Sequence, residues 1–142
     1  MRILGIDYGD SRIGVAISDP LGWTANGLET IQAKNQFHKA VEQVATLCKQ
    51  YEVKIIVIGY PKNMNGTMGE RIERTEGFIA ALLAICPGLE VVRWDERLTS
   101  VAAHRMMRET GATTRNKGKG LVDKIAAELI LQGYLDANKN ER

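Results

Sequence analysis

Residues Lys54 to Gly59 read KIIVIG, an unbroken apolar run set between two stretches of helical periodicity, and few folds accept that arrangement. A strand that is apolar on both faces belongs inside a covered sheet, the setting of parallel strands joined by helical crossovers. Upstream, from Asn35 onward, Phe37, Ala40, Val41, Val44, Leu47 and Cys48 recur at three- and four-residue intervals and predict an amphipathic helix. Downstream, after a loop over Tyr60 to Met68, a second helix carries Ile72, Thr75, Phe78, Ile79, Leu82 and Leu83 before Pro87-Gly88 stops it. Leu89 to Trp94 supplies the next strand. The first part of the chain follows a different pattern. Arg2 to Ile6 and Arg12 to Ser18 are strand-like and joined by Tyr8-Gly9-Asp10-Ser11, which reads as a β-hairpin. Trp23 to Ile31, with Gly22 and Gly27 as breakers, returns as a third antiparallel strand. Helices from Thr99 or Ser100 through Met107, ended by Gly111, and from Leu121 to Leu135 complete the order.

A hairpin requires antiparallel pairing and a strand–helix–strand crossover requires parallel pairing. The expected class is therefore α/β: a mixed five-stranded sheet, antiparallel over its first three strands and then parallel, flanked by helices. With 142 residues, 44% of them hydrophobic and 25% charged, the chain suits one domain over 1–136 and a polar, frayed tail over 137–142.

A formal net charge of +2 does not by itself nominate nucleic acid as a partner, but the distribution of charge says more. From Arg97 to Lys124 the basic residues Arg97, Arg105, Arg108, Arg115, Lys117, Lys119 and Lys124 face only Glu109 and Asp123, a region able to track phosphates. Cys48 and Cys86 lie inside apolar helical patterns without a CxxC motif, so both are expected as buried free thiols. The start of the chain lacks a signal-peptide pattern, and no apolar stretch approaches the ~20 residues a membrane span needs. A cytoplasmic protein with no membrane partner is the expectation.

Three carboxylates stand where elements end or begin. Asp7 closes the apolar run Ile3 to Ile6, Glu96 follows Val91-Val92-Arg93-Trp94, and Asp123 opens the last helix. Two strands each ending in an acid, with a third acid on a helix packed against them, form one way for a sheet to gather ligands for Mg²⁺ or Mn²⁺. Each acid also has a plainer explanation. Asp7 can cap the Tyr8-Gly9-Asp10 turn, and the other two can sit as favourable charge near helix N-termini. Adjacent strand residues point to opposite faces, so only one of Asp95 and Glu96 reaches the Asp7 side, and spacing does not choose between them. Asp123 shares a helical stripe with Ala126, Ala127 and Ile130, whose alanines permit close approach to the sheet. It is the coincidence of three such acids in one short chain that favours a metal site.

Two loops add polar material. Gly59 to Gly69 is a strand-to-helix loop at the expected C-terminal edge of the sheet, where α/β proteins bind ligands, with Arg71 and Arg74 on the helix that follows. Gly111 to Gly120 is basic and suits either a flap over a polyanion or a solvated linker. His38 and His104 fall within helices with no second ligand at metal spacing, and no Ser/His/Asp or Cys/His constellation or Walker lysine motif stands out.

Taken together, Gly5-Ile-Asp7-Tyr-Gly9 with Arg12-Ile-Gly-Val-Ala16-Ile-Ser-Asp19, the loop ending Asn63-Met-Asn-Gly66, Asp95-Glu-Arg-Leu-Thr-Ser100, and Asp123-Lys-Ile-Ala-Ala127 with Ile130-Leu-Gln132 resemble the bacterial YqgF (RuvX) family. Members are described as pre-16S ribosomal RNA nucleases and as Holliday-junction-resolvase-like proteins, and the resemblance runs from about Arg2 to Leu135. It implies an RNase H-like fold and an acidic triad at Asp7, Glu96 and Asp123, and the family pattern favours Glu96 over Asp95. Tyr60 stands where the family usually has Leu, and Asn65 where Asp is frequent.

The expected chemistry is in-line phosphodiester hydrolysis with Mg²⁺ or Mn²⁺ held by the triad and phosphates gripped by Arg12, Arg71, Arg97, Lys117 and Lys119. Precursor 16S ribosomal RNA is the expected substrate, with the ribosome or its assembly intermediates as further partners of a monomer or homodimer. Branched DNA cut by a dimeric resolvase is the alternative, and a nonhydrolytic RNA-binding assembly factor is another. The Gly5 to Gly9 hairpin also resembles the phosphate-binding hairpin of the actin and sugar-kinase superfamily, but the chain has no room for that superfamily's two lobes.

Overall fold

A computed structural model describes residues 2–9, 11–60, 66–95 and 118–139. In chain order these form β1 (Ile3–Tyr8), β2 (Arg12–Ser18), β3 (Ala25–Gln32), α1 (Phe37–Gln50), β4 (Ile55–Tyr60), α2 (Gly66–Ile85), β5 (Glu90–Asp95) and α3 (Gly118–Ala137). The five strands make one sheet in the order β3-β2-β1-β4-β5. β1 to β3 pair antiparallel, while β4 adds to β1 and β5 to β4 in parallel, as the hairpin and crossover signals require. The architecture is the expected mixed sheet flanked by helices.

Strand alternation divides the core into two layers. Leu4, Ile6, Ile13, Val15, Ile56 and Ile58 point one way and pack with Val41 and Val44 of α1 and Phe78 and Leu82 of α2. Ile3, Ala16 and Val57 point the other way and meet Ala126, Ala127, Ile130, Leu131 and Leu135 of α3. Within the KIIVIG run Ile55 to Ile58 are all apolar because both faces of β4 are covered, Ile56 and Ile58 by the α1–α2 layer and Ile55 and Val57 by α3.

Two glycines let α3 bed into the sheet. A Cβ on Gly5 would sit 2.6 Å from Leu131 Cβ, and one on Gly14 would overlap the carbonyl oxygen of Asp123. Any other residue at these positions would hold the helix away. The edge strand β3 is tied to the same helix: Glu128 Oε1 accepts from Gly27 N at 2.8 Å and Gln132 Oε1 from Ala25 N at 2.9 Å. A β-bulge between Val15 and Ala16, where pairing passes from Glu29 to Gly27, leaves Leu28 as the extra residue.

Differences from the sequence expectations lie at element ends. β1 continues through Tyr8, so Asp7 belongs to the strand instead of following it, and β3 starts at Ala25. α2 begins at Gly66, inside the expected loop. α3 begins at Gly118 and runs to Ala137, which puts Asp123 in its second turn. Glycine costs an isolated helix about 1 kcal/mol per residue, and the tertiary packing of α3 outweighs that local penalty. The helix expected from Thr99 or Ser100 to Met107 lies outside the described residues.

Candidate functional site

Asp7 is the penultimate residue of the central strand β1 and shares the face of Gly5, toward α3. Only 6% of its surface is exposed. Its cross-strand partner in β2 is Gly14, and the backbone of Asp123 lies directly over Gly14. Directly opposed antiparallel residues have their Cβ positions about 5 Å apart, so the register sets Asp7 beside the strand position that the Asp123 backbone covers. Asp123 is likewise buried, with 4% exposure. The buried apolar residues Ala126, Ala127 and Ile130 that follow it confirm the stripe read from the sequence.

A buried carboxylate needs compensating charge or hydrogen bonds. For Asp123 part of this comes from Arg12, on the same strand and face as Gly14, whose Nε donates to Asp123 Oδ2 at 2.6 Å. Arg12 was expected as a phosphate contact; the structure engages it first with an acid. Its side chain remains 27% exposed, so the guanidinium stands at the rim of the corner that holds Asp7 and Asp123.

Two buried carboxylates on one side of a guanidinium-lined corner suit a hard divalent cation, which takes oxygen ligands. Glu96, the expected third ligand, and Arg97 and Lys117 lie outside the described residues. Lys119 belongs to the first turn of α3. Among the described residues no group of three metal-ligating side chains occurs. Asp95, the last residue of β5, alternates with Val91 and Arg93, and Val91 packs in the α1–α2 layer. It therefore faces away from Asp7.

Arg71 is on the other side of β1. With Arg74, Thr75, Tyr8 and Gly9 it lines a cavity of about 80 Å³ between α2 and the end of β1. The Tyr8 ring packs on Phe78 with centroids 4.9 Å apart.

Tyr60, the departure from the family pattern, has a structural partner. Arg93 forks onto Glu76 through Nε and Nη2 at 2.6 and 2.8 Å, and the Tyr60 hydroxyl bonds to the same pair. The Arg93 hydrogen bonds hold the Glu76 carboxyl below its ordinary range, and partial burial raises the Tyr60 phenol. This link joins β4, β5 and α2 on the face away from Asp7. Asp19, in the motif after β2, accepts from Trp23 N at 2.6 Å and Thr24 N at 3.0 Å and so closes the β2–β3 turn. The Thr24 amide is the main reason its carboxyl lies below the usual value. Both cysteines are free, and burial pushes the Cys48 thiol up to about 12. His38 is exposed beside Phe37, and His104 lies outside the described residues.

A family model for RuvX, described as Holliday junction resolvase, matches residues 1–137. The chain belongs to the RuvX family. Relatives named "Putative pre-16S rRNA nuclease" include one from Ruminiclostridium cellulolyticum, 59% identical and covering 96% of this chain and 94% of its own. One from Acetivibrio thermocellus is 54% identical, covering 96% of each chain. One from Clostridium tetani is 52% identical over 99% of this chain and all of its own. Among solved structures, Thermus thermophilus RuvC in complex with a Holliday junction substrate superposes with a TM-score of 0.63 at 15% identity, covering 98% of this chain and 96% of that one. RuvC from the same organism in another structure gives 0.53 at 13% identity, covering 99% and 97%. This likeness establishes the RNase H-like fold for the RuvX chain.

Proposed function

We propose that this chain is a divalent-metal-dependent endonuclease that processes the 5′ end of precursor 16S ribosomal RNA in the cytoplasm, acting on ribosome assembly intermediates. The observation that supports the reading is that Gly14 is both the cross-strand partner of Asp7 and the residue covered by the Asp123 backbone, with both acids buried. Family membership supplies the reaction class, and the names of the relatives supply the RNA.

Asp7, Asp123 and Glu96 would hold Mg²⁺ or Mn²⁺. Glu96 is preferred over Asp95 because Asp95 faces the opposite layer. When bound, one or two such ions polarise a scissile phosphate and lower the pKa of attacking water. The chain's own residues do the rest. Burial of Asp7 and Asp123 excludes bulk water and fixes their rotamers. Arg12, at the rim, balances the charge of Asp123 and offers its outer nitrogens to phosphate oxygens. Arg71, Arg97, Lys117 and Lys119 extend the cationic track, so substrate affinity falls steeply with salt.

The test is cleavage of a precursor 16S RNA fragment and of a four-way DNA junction, side by side, with Mg²⁺, Mn²⁺ or chelator. Metal-dependent cutting of the RNA, lost in Asp7→Asn and Asp123→Asn variants that still fold, is the expected result. Cutting of the junction alone assigns the chain to DNA. Binding without cutting of either substrate sinks the nuclease reading in favour of an assembly factor.

A further inference from the structure

The layer of α1 and α2 holds both thiols of the chain, and the fold places them alike. α1 leads into β4 and α2 into β5, and these strands are neighbours: Ile55 pairs with Glu90, whose N donates to the Lys54 carbonyl at 2.9 Å. Each helix turns back to its strand through a cysteine. The Cys48 carbonyl accepts from Val53 N at 2.8 Å while Glu52 N donates to the Lys49 carbonyl at 3.3 Å, a Schellman turn with Glu52 at φ 54°. The Cys86 amide donates to the Leu82 carbonyl at 2.9 Å, and its carbonyl accepts from Leu89 N at 3.2 Å. Cys86 is partly buried and packs against the apolar cluster that contains Cys48. Burial first, and then the charge of a Cys86 thiolate, raise the Cys48 thiol, so the two sulfurs feel one another. Both line one cavity of about 680 Å³ together with Ile85, Lys49, Lys54 and Glu52. That volume is within the ~300–1,000 Å³ of small-molecule sites.

We propose that Cys86 and Cys48 are an oxidation site for a small disulfide of the glutathione class, which closes them into an intramolecular disulfide between the ends of α1 and α2. Burial sets the order of events. Cys48 is 3% exposed and stays protonated, so the more accessible Cys86 reacts first. Its thiolate attacks one sulfur of the small disulfide, whose S–S bond breaks; one half stays on Cys86 and the other leaves as a thiolate. The Cys48 sulfur then attacks the Cys86 sulfur and displaces the second half. The proton of each cysteine ends on one of the departing halves, so the protein loses two electrons and the small disulfide becomes two thiols. Lys49 and Lys54, against Glu52, favour an oxidant that carries carboxylates. In a reducing compartment such a bond is transient and forms on oxidation. It latches the layer away from Asp7, and it does not rest on the nuclease reading.

The test incubates the full chain with excess oxidised glutathione, then titrates free thiols after denaturation and measures the intact mass. Wild type is expected to lose both thiols, to become lighter by two hydrogens at the mass of one chain, and to melt several degrees higher until dithiothreitol reverses the change. Cys48→Ala is expected to stop at the mixed disulfide on Cys86. Cys86→Ser is expected to stay unmodified, because the thiol it retains is buried. Cys86 lies in a turn and is only partly buried, so its replacement leaves the core intact. Should Cys48→Ala fail to fold, wild type and Cys86→Ser decide the matter without it. A wild-type protein that keeps both thiols, that accumulates only mixed disulfides, or that links two chains overturns the proposal. So does a Cys86→Ser protein that takes up glutathione on Cys48 as fast as wild type reacts.

Discussion

Gly14→Ala tests how the site is assembled. A methyl group there would lie 2.5 Å from the Asp123 carbonyl carbon and 3.2 Å from its Cβ, in addition to overlapping the carbonyl oxygen. Ordinary carbon–carbon contact is about 3.5–4.0 Å, so the helix must lift by roughly 1 Å at Asp123. Overpacking of this kind costs about 1–3 kcal/mol. The obstacle is backbone, which cannot rotate aside, so the upper end applies. For a chain of this size that lowers Tm by roughly 5–10 °C. Activity falls further, because misplacing a catalytic group by about 1 Å costs on the order of a hundredfold. Thermal melts and single-turnover cleavage below the melting range measure the two effects. Gly5→Ala is a graded comparison. Its methyl group meets Leu131 Cβ at 2.6 Å and the Ala127 carbonyl oxygen at 3.0 Å, on the same helix but one to two turns beyond Asp123, so it should lower Tm with a smaller loss of rate than Gly14→Ala. Gly88→Ala, with nothing within 4 Å, is the control. A Gly14→Ala protein that melts and cleaves like the control would refute the placement of Asp123 over β2.

Two other perturbations have definite signs. Arg12→Gln removes a charged partner of buried Asp123, and in chelator it should lower stability by about 2–3 kcal/mol. Saturating Mn²⁺ should recover part of that loss, because the cation becomes the counter-charge; denaturant melts with and without Mn²⁺ check this, and a deficit indifferent to Mn²⁺ counts against Asp123 as a ligand. Glu76 has a folded-state pKa lowered chiefly by its Arg93 hydrogen bonds, so its contribution is present above its unfolded value, roughly 4.3, and is lost as pH falls through the folded value. Both partners are about 40% exposed, which keeps the contribution below about 1 kcal/mol. The stability gap between wild type and Glu76→Gln should therefore close on acidification, and a gap that persists to pH 2 would remove this explanation.

Local periodicity made the sheet legible. The apolar run of β4, the period-two hairpin and the 3.6-residue stripes of α1 and α2 each report their own burial, and together they imply the mixed antiparallel and parallel pairing found. The acids at Asp7 and Asp123 were visible because charge is rare in such runs. Contacts between distant segments were not visible. Arg12 reads as an exposed cation at a strand start, and nothing near it in sequence announces an acid 111 residues away. Gly14, a small residue between Ile13 and Val15, was the available signal that a backbone would press on β2. Spacing left Asp95 and Glu96 open and the family pattern favoured Glu96; the structure adds that Asp95 takes the α1–α2 face of β5, while Glu96 lies outside the described residues. The start of α3 was misjudged because Gly118-Lys119-Gly120 has loop composition, whereas the helix there is sustained by packing farther along.

The two sides of the sheet carry different burdens. The α1–α2 side is a thick apolar layer that depends little on the acids. Among the described residues the other side is covered by one helix, α3, and that helix carries Asp123 over Gly14, the cross-strand partner of Asp7. Several devices seat it: the glycine gaps at Gly5 and Gly14, the Glu128 and Gln132 bonds to the edge strand, and the Arg12 pair. Each spans more than 100 residues of sequence or relies on a missing side chain, so none contributes until the hairpin is already formed. The expected outcome is that α3 amides exchange through an opening of lower free energy than that of the α1–α2 layer, a difference native-state hydrogen exchange measures. Anything that binds both acids at once must hold α3 on the sheet, and metal affinity and the protection of α3 amides from hydrogen exchange should rise and fall together.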